Sequence, residues 1–147
     1  MPAHTDVRLV PYSPEQLFDL VADVARYPDF LPWCQAARVW GRQGNQFLAE
    51  LKIGFGPFKE RYTSRITLER PTLITASYVE GPFKTLSNSW RFQPVAGGTE
   101  VRFHVDFEFR SRLLGRTLGL AFDEGVRRMV RAFTERARAI YGPPALR

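Results

Sequence analysis

A change of hydrophobic period near residue 111 constrains the fold more than any other feature of this sequence. Residues 101–110 alternate strictly between apolar and polar side chains, which predicts a strand in a sheet with one dry face and one wet face. From Arg112 to Tyr141 the apolar residues instead recur every three or four positions. That spacing predicts one long amphipathic helix with a broad apolar arc.

Weaker alternation predicts further strands at residues 5–12, 47–53, 58–68, 72–80 and 86–92. Between the first two, Ser13-Pro14-Glu15-Gln16 predicts a helix start with a capping box, and Pro28 predicts that this helix has already ended. The expected order is strand, helix, short helical insert, about six antiparallel strands and a long helix. We expect an α+β helix-grip fold, in which a curved antiparallel sheet wraps around the C-terminal helix. A curved sheet and a straight helix do not touch everywhere, so we also expect a hydrophobic cavity between them.

The composition indicates a globular protein of a reducing compartment. The 147 residues suit a single domain over residues 1–147, with residues 142–147 as a flexible tail after the last helix. Cys34 is the single cysteine, which rules out an internal disulfide framework or a thiolate zinc cluster. No apolar run is long enough for a membrane span, and Asp6 and Arg8 place charges where a signal peptide would be apolar.

Candidate catalytic groups are few. His104 and Asp106 lie on the polar face of the last predicted strand, where we expect solvent and no neighbouring nucleophile. Cys34 follows Trp33 in an aromatic segment and is predicted to be a small buried residue rather than a reactive thiol. No metal-ligand spacing is present. The sequence therefore predicts neither a catalytic centre nor a metal site.

Four polar residues fall on strand faces that otherwise are apolar: Glu60, Tyr62, Ser64 and Asn88. Because a buried polar group without a partner is costly, they either bond to one another or line a cavity. The alternative is an error of register or a strand end that is open to solvent. The 12 Phe, 5 Tyr and 3 Trp would suit a pocket for a ring-bearing lipid, although aromatic residues also simply fill cores.

The positive charge is concentrated near the C-terminus. The net charge is +6 for the whole chain, and residues 111–147 contribute +5 of it through eight arginines and three acids. At helical spacing, four arginines share a narrow arc roughly opposite the apolar residues: Arg116, Arg127, Arg131 and Arg138. They would meet an anionic partner, or they form an ordinary solvated helix face.

Several motifs resemble one family across nearly the whole chain. Residues 27–34 read Tyr-Pro-Asp-Phe-Leu-Pro-Trp-Cys and follow a matching segment at residues 10–24. Further matches are Gly-Pro-Phe-Lys at 81–84, Trp-Arg-Phe at 90–92, Asp-Phe-Glu-Phe at 106–109 and Met-Val-Arg-Ala-Phe at 129–133. Together they are similar to the coenzyme Q-binding START-domain family, which is polyketide-cyclase-like. Its branches include a mitochondrial ubiquinone-binding protein and a bacterial ribosome association toxin.

The resemblance implies a hydrophobic cavity and no catalytic machinery. In one branch the cavity would hold ubiquinone and part of its isoprenoid tail, and the protein would support respiration as a non-enzymatic quinone carrier or chaperone. In the other branch the protein would bind the large ribosomal subunit and block subunit association. We find no residue that separates the branches. Because no mitochondrial presequence precedes the domain, we expect a bacterial cytoplasmic protein that contacts the anionic inner membrane peripherally.

The predicted cavity residues come from inward strand positions and the last helix: Phe47, Leu51, Tyr62, Trp90, Phe103, Phe107, Met129 and Phe133. From the aromatic segment, Phe30, Leu31 and Trp33 are expected near the mouth of the cavity. Wider relatives of the fold suggest a third possibility, an aromatase or cyclase. That enzyme would need an acid–base pair inside the cavity, and Glu60 is the one carboxylate predicted to point inward. The tail length of the ligand and the oligomeric state stay open.

Overall fold

One antiparallel sheet and one long helix account for most of the computed structural model, which describes residues 3–55 and 58–143. In chain order the elements are β1 (Ala3–Val10), α1 (Pro14–Ala22), a 3-10 helix (Val24–Asp29), β2 (Cys34–Gln43), β3 (Gln46–Phe55), β4 (Phe58–Glu69), β5 (Leu73–Glu80), β6 (Phe83–Val95), β7 (Gly98–Phe109) and α2 (Arg112–Tyr141). Within the described residues, the sheet order is β1-β7-β6-β5-β4-β3-β2. Strands β2 to β7 are therefore successive hairpin neighbours, and β1 joins the far edge beside β7. Residues 144–147 of the predicted flexible tail lie outside the described residues.

The start of α1 has the predicted capping box. The backbone N–H of Gln16 donates to Ser13 Oγ at 3.1 Å, and the Ser13 N–H donates to Gln16 Oε1 at 3.0 Å. Pro14 occupies the first helical position, where a missing N–H has no cost. The helix ends at Ala22, and the short helical insert is the 3-10 helix that contains Pro28.

Strand β2 completes the expected number of strands after the insert, but its position was missed in the sequence. It is an edge strand, most of its residues are exposed, and its pairing with β3 shifts register near both ends. Its inner face carries Ala37 and Val39 rather than large apolar side chains. An edge strand with so little to bury produces no clear period of two.

The C-terminal end of α2 is fixed against the start of α1. The Tyr141 hydroxyl donates to the Gln16 carbonyl at 2.8 Å, and the Tyr12 hydroxyl donates to the Gly142 carbonyl at 2.5 Å. Gly142 has φ +77°, which lets it end the helix in the left-handed conformation. The apolar arc of α2 packs on the inner face of the curved sheet, as in the predicted helix-grip arrangement.

Strand β7 confirms the period of two, since every second residue from Val101 to Phe109 is buried. On its outer face the ring of His104 bonds to Thr5 Oγ1 at 2.7 Å and to Asp106 Oδ2 at 2.9 Å. These groups join two strands on the convex side of the sheet, away from the helix.

The prediction that Glu60 points into the cavity is wrong. Its side chain is exposed, because it lies near the start of β4, before the pairing with β5 begins at Thr63 and Glu80. At that level β4 pairs with β3 alone, with Glu60 opposite Ile53, so the β5 side of this end of β4 is open to solvent. Just beyond, the β4–β5 pairing shifts register between Thr63 and Ser64, with Val79 as the extra residue on β5, and Thr63 is buried although its position predicts an outward side chain.

Candidate functional site: a cavity between the sheet and the long helix

A cavity of about 100 Å³ lies between the inner face of the sheet and α2. Its described walls are formed by the 3-10 helix, the following segment, strands β3 to β7 and the middle of α2. The lining residues are Val24, Tyr27, Trp33, Ala49, Leu51, Ile53, Tyr62, Ser64, Ile66, Ile74, Ala76, Phe83, Leu86, Asn88, Trp90, Phe103, Val105, Gly125, Val126, Met129 and Phe133.

Small residues create this space. Ala49 on β3, Ser64 on β4 and Ala76 on β5 occupy inward positions of neighbouring strands, where larger side chains would reach the helix. Gly125 presents no side chain from α2 on the opposite wall. Protein interiors are otherwise packed closely, so four small residues facing one another across two layers leave a gap.

Aromatic rings close one side of the cavity around Phe133. The Phe133 ring meets Tyr27 at 5.2 Å, Phe30 at 5.1 Å and Trp90 at 5.0 Å between centroids, all in edge-to-face geometry. The Tyr27 hydroxyl donates to the carbonyl of Val21, and burial raises the pKa of this phenol well above its ordinary value. The 3-10 helix is thereby joined to α2 through edge-to-face rings, and an ion pair between Arg136 Nη2 and Asp29 Oδ2 at 4.0 Å lies between the same two helices.

Besides Tyr27, whose hydroxyl is bonded to Val21, and the two tryptophans, three described lining residues carry polar side chains: Tyr62, Ser64 and Asn88. Tyr62 is held in place by its ring, which lies edge-to-face on Phe83 at 5.8 Å. Burial raises the pKa of the Tyr62 phenol, so the group stays neutral and keeps its proton at any physiological pH. All three side chains project from the sheet, and the described part of the helix wall is apolar.

Seven of the predicted cavity residues lie on its walls: Trp33, Leu51, Tyr62, Trp90, Phe103, Met129 and Phe133. Their role in binding a ligand stays a prediction. Phe30, Leu31, Phe47 and Phe107 are not among the described lining residues, and their role in binding a ligand likewise stays a prediction. Phe30 packs behind Phe133, and Leu31 is buried at the end of the 3-10 helix, where its N–H bonds to the carbonyl of Tyr27.

Phe47 and Phe107 point inward as predicted but lie away from the gap along their strands. Phe47 is buried near the β2–β3 turn with the guanidinium of Arg42 4.8 Å from its ring centroid. Phe107 packs edge-to-face against Phe109 near the end of β7. Alternation predicts the face of the sheet, but it does not locate the gap along a strand. The missed lining residues include Ala49, Ala76 and Gly125, and a run of small residues at inward positions is the signal that would have revealed them.

The described walls offer little for catalysis. None of the described lining residues carries a carboxylate, an imidazole or an amine, and Glu60 is outside the cavity. Burial raises the pKa of the nearby Cys34 thiol to about 11, which keeps it protonated and poorly nucleophilic. Within residues 3–55 and 58–143, no cluster of three His, Cys, Asp or Glu side chains is arranged to hold a metal ion.

The basic stripe, formed by Arg116, Arg127, Arg131 and Arg138, lies on the exposed side of α2. At 100° per residue the four positions fall within about 60° of arc. One member is partly neutralised, because Arg127 Nη1 is 3.9 Å from Glu124 Oε2. In addition, no described helix is both long enough and apolar enough to cross a membrane.

Comparison with known proteins identifies the family to which this chain belongs. Residues 10–134 match the family described as polyketide cyclase / dehydrase and lipid transport. A ribosome association toxin, RatA, of Rickettsia prowazekii is 37% identical over 137 residues, which cover 90% of this chain and 94% of the toxin. Coenzyme Q-binding protein COQ10 homolog B of Xenopus laevis, a mitochondrial protein, is 37% identical over 144 residues, which cover 95% of this chain and 59% of that longer protein.

Among solved structures, the Zhui aromatase/cyclase from Streptomyces sp. R1128 superposes with a TM-score of 0.84, covering 95% of each chain. Its sequence identity of 17% shows a shared fold alone. The family match and the two relatives carry more weight, because they rest on the sequence itself, with 37% identity to each relative. The chain belongs to the polyketide cyclase/dehydrase and lipid transport family, whose START-like character the sequence motifs indicated.

Proposed function

We propose that this protein binds an uncharged, ring-bearing lipid, ubiquinone or a related isoprenoid quinone, in the cavity and carries it without transforming it. The observation that carries the proposal is a cavity whose described walls are mostly aliphatic and aromatic, with a few polar side chains that are all neutral. Such walls are typical of small-molecule sites that bury an apolar ligand and orient it by a few polar contacts. The name of the coenzyme Q-binding relative from Xenopus laevis supports the same ligand class.

The size of the cavity indicates which part of the ligand it takes. Its volume of about 100 Å³ is on the scale of one small ring, since an engineered cavity of about 150 Å³ holds benzene. A substituted quinone ring would require small outward shifts of the walls, and a polyprenyl tail would extend beyond the enclosed space. The described lining residues carry no charge to pair with an ionised head group, so an uncharged ligand is favoured.

The chemistry of the walls supports binding rather than turnover. A cyclase or aromatase needs groups that move protons at the ring, and the polar side chains among the described lining residues are only two phenols, a hydroxyl, an amide and two indoles. The Tyr62 phenol is a weak acid here because burial raises its pKa. We therefore interpret the polar groups as contacts for the ligand.

The tryptophans provide the test. Trp33 and Trp90 line the cavity, whereas Trp40 is 37% exposed on β2. A quinone bound in the cavity should quench the fluorescence of the first two. Titration of the purified protein with a short-tail ubiquinone should give saturable quenching, and Trp90→Phe should remove a large part of it while Trp40→Phe should not. Organic extraction of freshly purified protein, followed by chromatography and mass spectrometry, should also yield a quinone.

A cavity-filling variant and a matched surface control test whether the quinone binds in the cavity. Ala76→Leu adds three carbon atoms to the wall of the cavity, whereas Ser77→Leu adds a leucine at the exposed neighbouring position of the same strand. We expect the first variant to lose quinone binding and the second to keep it. Protein that contains no extractable lipid and shows no saturable quenching would refute the proposed function. If the two variants bind quinone with equal affinity, the cavity is not the binding site.

The basic stripe suggests where such a carrier works. Each arginine near an anionic bilayer surface contributes about 1 kcal/mol to attraction. As part of the proposal, the protein lies in the bacterial cytoplasm and contacts the inner membrane peripherally through this stripe. Flotation with vesicles of anionic lipid, compared with vesicles of neutral lipid, tests the contact, and equal flotation would contradict it.

A second candidate function, ribosome association, rests on the basic stripe together with the 37% identical RatA relative. Its arginines would bind RNA phosphates of the large ribosomal subunit, and each phosphate contact releases counterions. Binding should therefore weaken steeply as salt is raised.

Sedimentation through sucrose gradients at low and moderate salt tests this candidate. The protein should migrate with the large subunit at low salt, and replacing all four stripe arginines by Gln should abolish co-migration. A matched control replaces Arg65 and Arg91, which are exposed on the outer face of the sheet, and should keep it. Absence of co-migration at both salt concentrations would remove the candidate.

A further inference from the structure

The cross-strand neighbours of the three polar side chains give them no hydrogen bond. Tyr62 pairs with Leu51 on β3, and Asn88 on β6 lies between Ala76 on β5 and Val105 on β7. Ser64 lies between Ala49 on β3 and Tyr78 on β5, and the Tyr78 hydroxyl accepts the Phe83 N–H at 3.1 Å. Apart from Tyr78, these neighbours are apolar residues of the cavity wall.

No other described group completes their hydrogen bonds. Within residues 3–55 and 58–143, no hydrogen bond joins the side chains of Tyr62, Ser64 or Asn88 to the protein, and their polar atoms are not among those that the protein encloses completely. By contrast, the buried Thr99 hydroxyl donates to the Tyr12 carbonyl at 2.6 Å. Polar groups that face a cavity without a protein partner indicate a guest that carries complementary polar atoms.

The donors and acceptors define that guest. A phenol, an aliphatic hydroxyl and a primary amide can each donate a hydrogen bond without carrying charge. They lie on the sheet wall, opposite the apolar wall formed by Val126, Met129 and Phe133. A flat ring with oxygen substituents would place its oxygens toward the sheet and one of its faces or edges against the helix.

We propose that Tyr62, Ser64 and Asn88 form the head-group subsite of the cavity and select lipids whose ring carries oxygen acceptors over hydrocarbons of the same shape. This inference rests on the proposed function and adds the residues that determine its specificity. Water can satisfy the three groups when the cavity is empty, and a ligand that lacks oxygens would displace that water without replacing its hydrogen bonds.

The test compares two ligands that share one tail. Calorimetric titration uses ubiquinone with two isoprene units and geranylbenzene, a hydrocarbon with the same tail. The wild-type protein should bind the quinone more tightly. Each of Tyr62→Phe, Ser64→Ala and Asn88→Leu should weaken quinone binding by about 3- to 10-fold, the effect of one hydrogen bond. Binding of geranylbenzene should stay the same or become tighter.

Ser87→Ala is the matched control, because Ser87 is exposed on β6 next to Asn88. It should change neither affinity, and circular dichroism of every variant checks that the fold is kept. If the wild type binds both ligands equally, or if the cavity variants weaken both to the same degree, the subsite is wrong while the lipid-binding function stands. If the wild type binds neither ligand, both the function and the subsite are refuted.

Discussion

Replacing Phe133 by Ala should be among the most damaging single substitutions in α2. Its ring is 4% exposed and contacts three aromatic rings at 5.0 to 5.2 Å, which join the helix to the 3-10 helix and to β6. Truncation of a buried Phe to Ala costs about 3–5 kcal/mol. Because one side of the ring already faces the cavity, where it lacks contacts, we expect a loss near 3 kcal/mol.

Urea denaturation followed by circular dichroism measures this loss, and thermal melting should show a fall in Tm of about 6–12 °C for a chain of this size. Ile140→Ala serves as the control, since Ile140 is on the same helix but 49% exposed, and it should cost about 0.5 kcal/mol or less. Phe133→Leu, which keeps much of the volume, should lose about 1 kcal/mol through the aromatic contacts and provides a measurement if the Ala variant does not fold. A cost below about 1 kcal/mol for Phe133→Ala would refute the role assigned to this cluster.

Further predictions concern two glycines, the thiol and the first helix. Gly98→Ala should lower the free energy of unfolding by about 1–3 kcal/mol, because Gly98 has φ +154° and a Cβ there would lie 2.2 Å from the carbonyl oxygen of Val10. Gly115→Ala should raise the free energy of unfolding by about 1 kcal/mol in urea denaturation, because a Cβ at this helical position meets nothing within 4 Å. Burial raises the pKa of Cys34 to about 11, so above pH 9 the unfolded chain loses this proton before the folded chain does, and stability should fall as pH rises. Cys34→Ala should flatten that dependence in denaturation curves between pH 8 and 10.5, and an unchanged slope would contradict it. Ser13→Ala should cost about 1 kcal/mol by removing the helix cap, and an unchanged urea midpoint would show that the capping box contributes nothing.

Much of the site could be predicted from the sequence because its determinants are local. Alternation assigned Trp90 and Phe103 to the inner face, and helical spacing did the same for Met129 and Phe133. The alternation also pointed to Ser64 and Asn88 as polar residues on a dry face. The same argument failed for Glu60, because alternation says nothing about where the neighbouring strand ends.

By itself, the sequence determined the order of the elements, the capped start of α1, the end of α2 before the Gly-Pro-Pro segment, and the dry face of β7. Each of these follows from interactions between residues a few positions apart. The tertiary structure alone decided the position of edge strand β2, the burial of Phe47 and Phe107 away from the gap, and the cavity itself. The cavity exists because Ala49, Ala76 and Gly125, which are far apart in the sequence, face one another across the sheet and the helix, and only the packing of those layers brings them together.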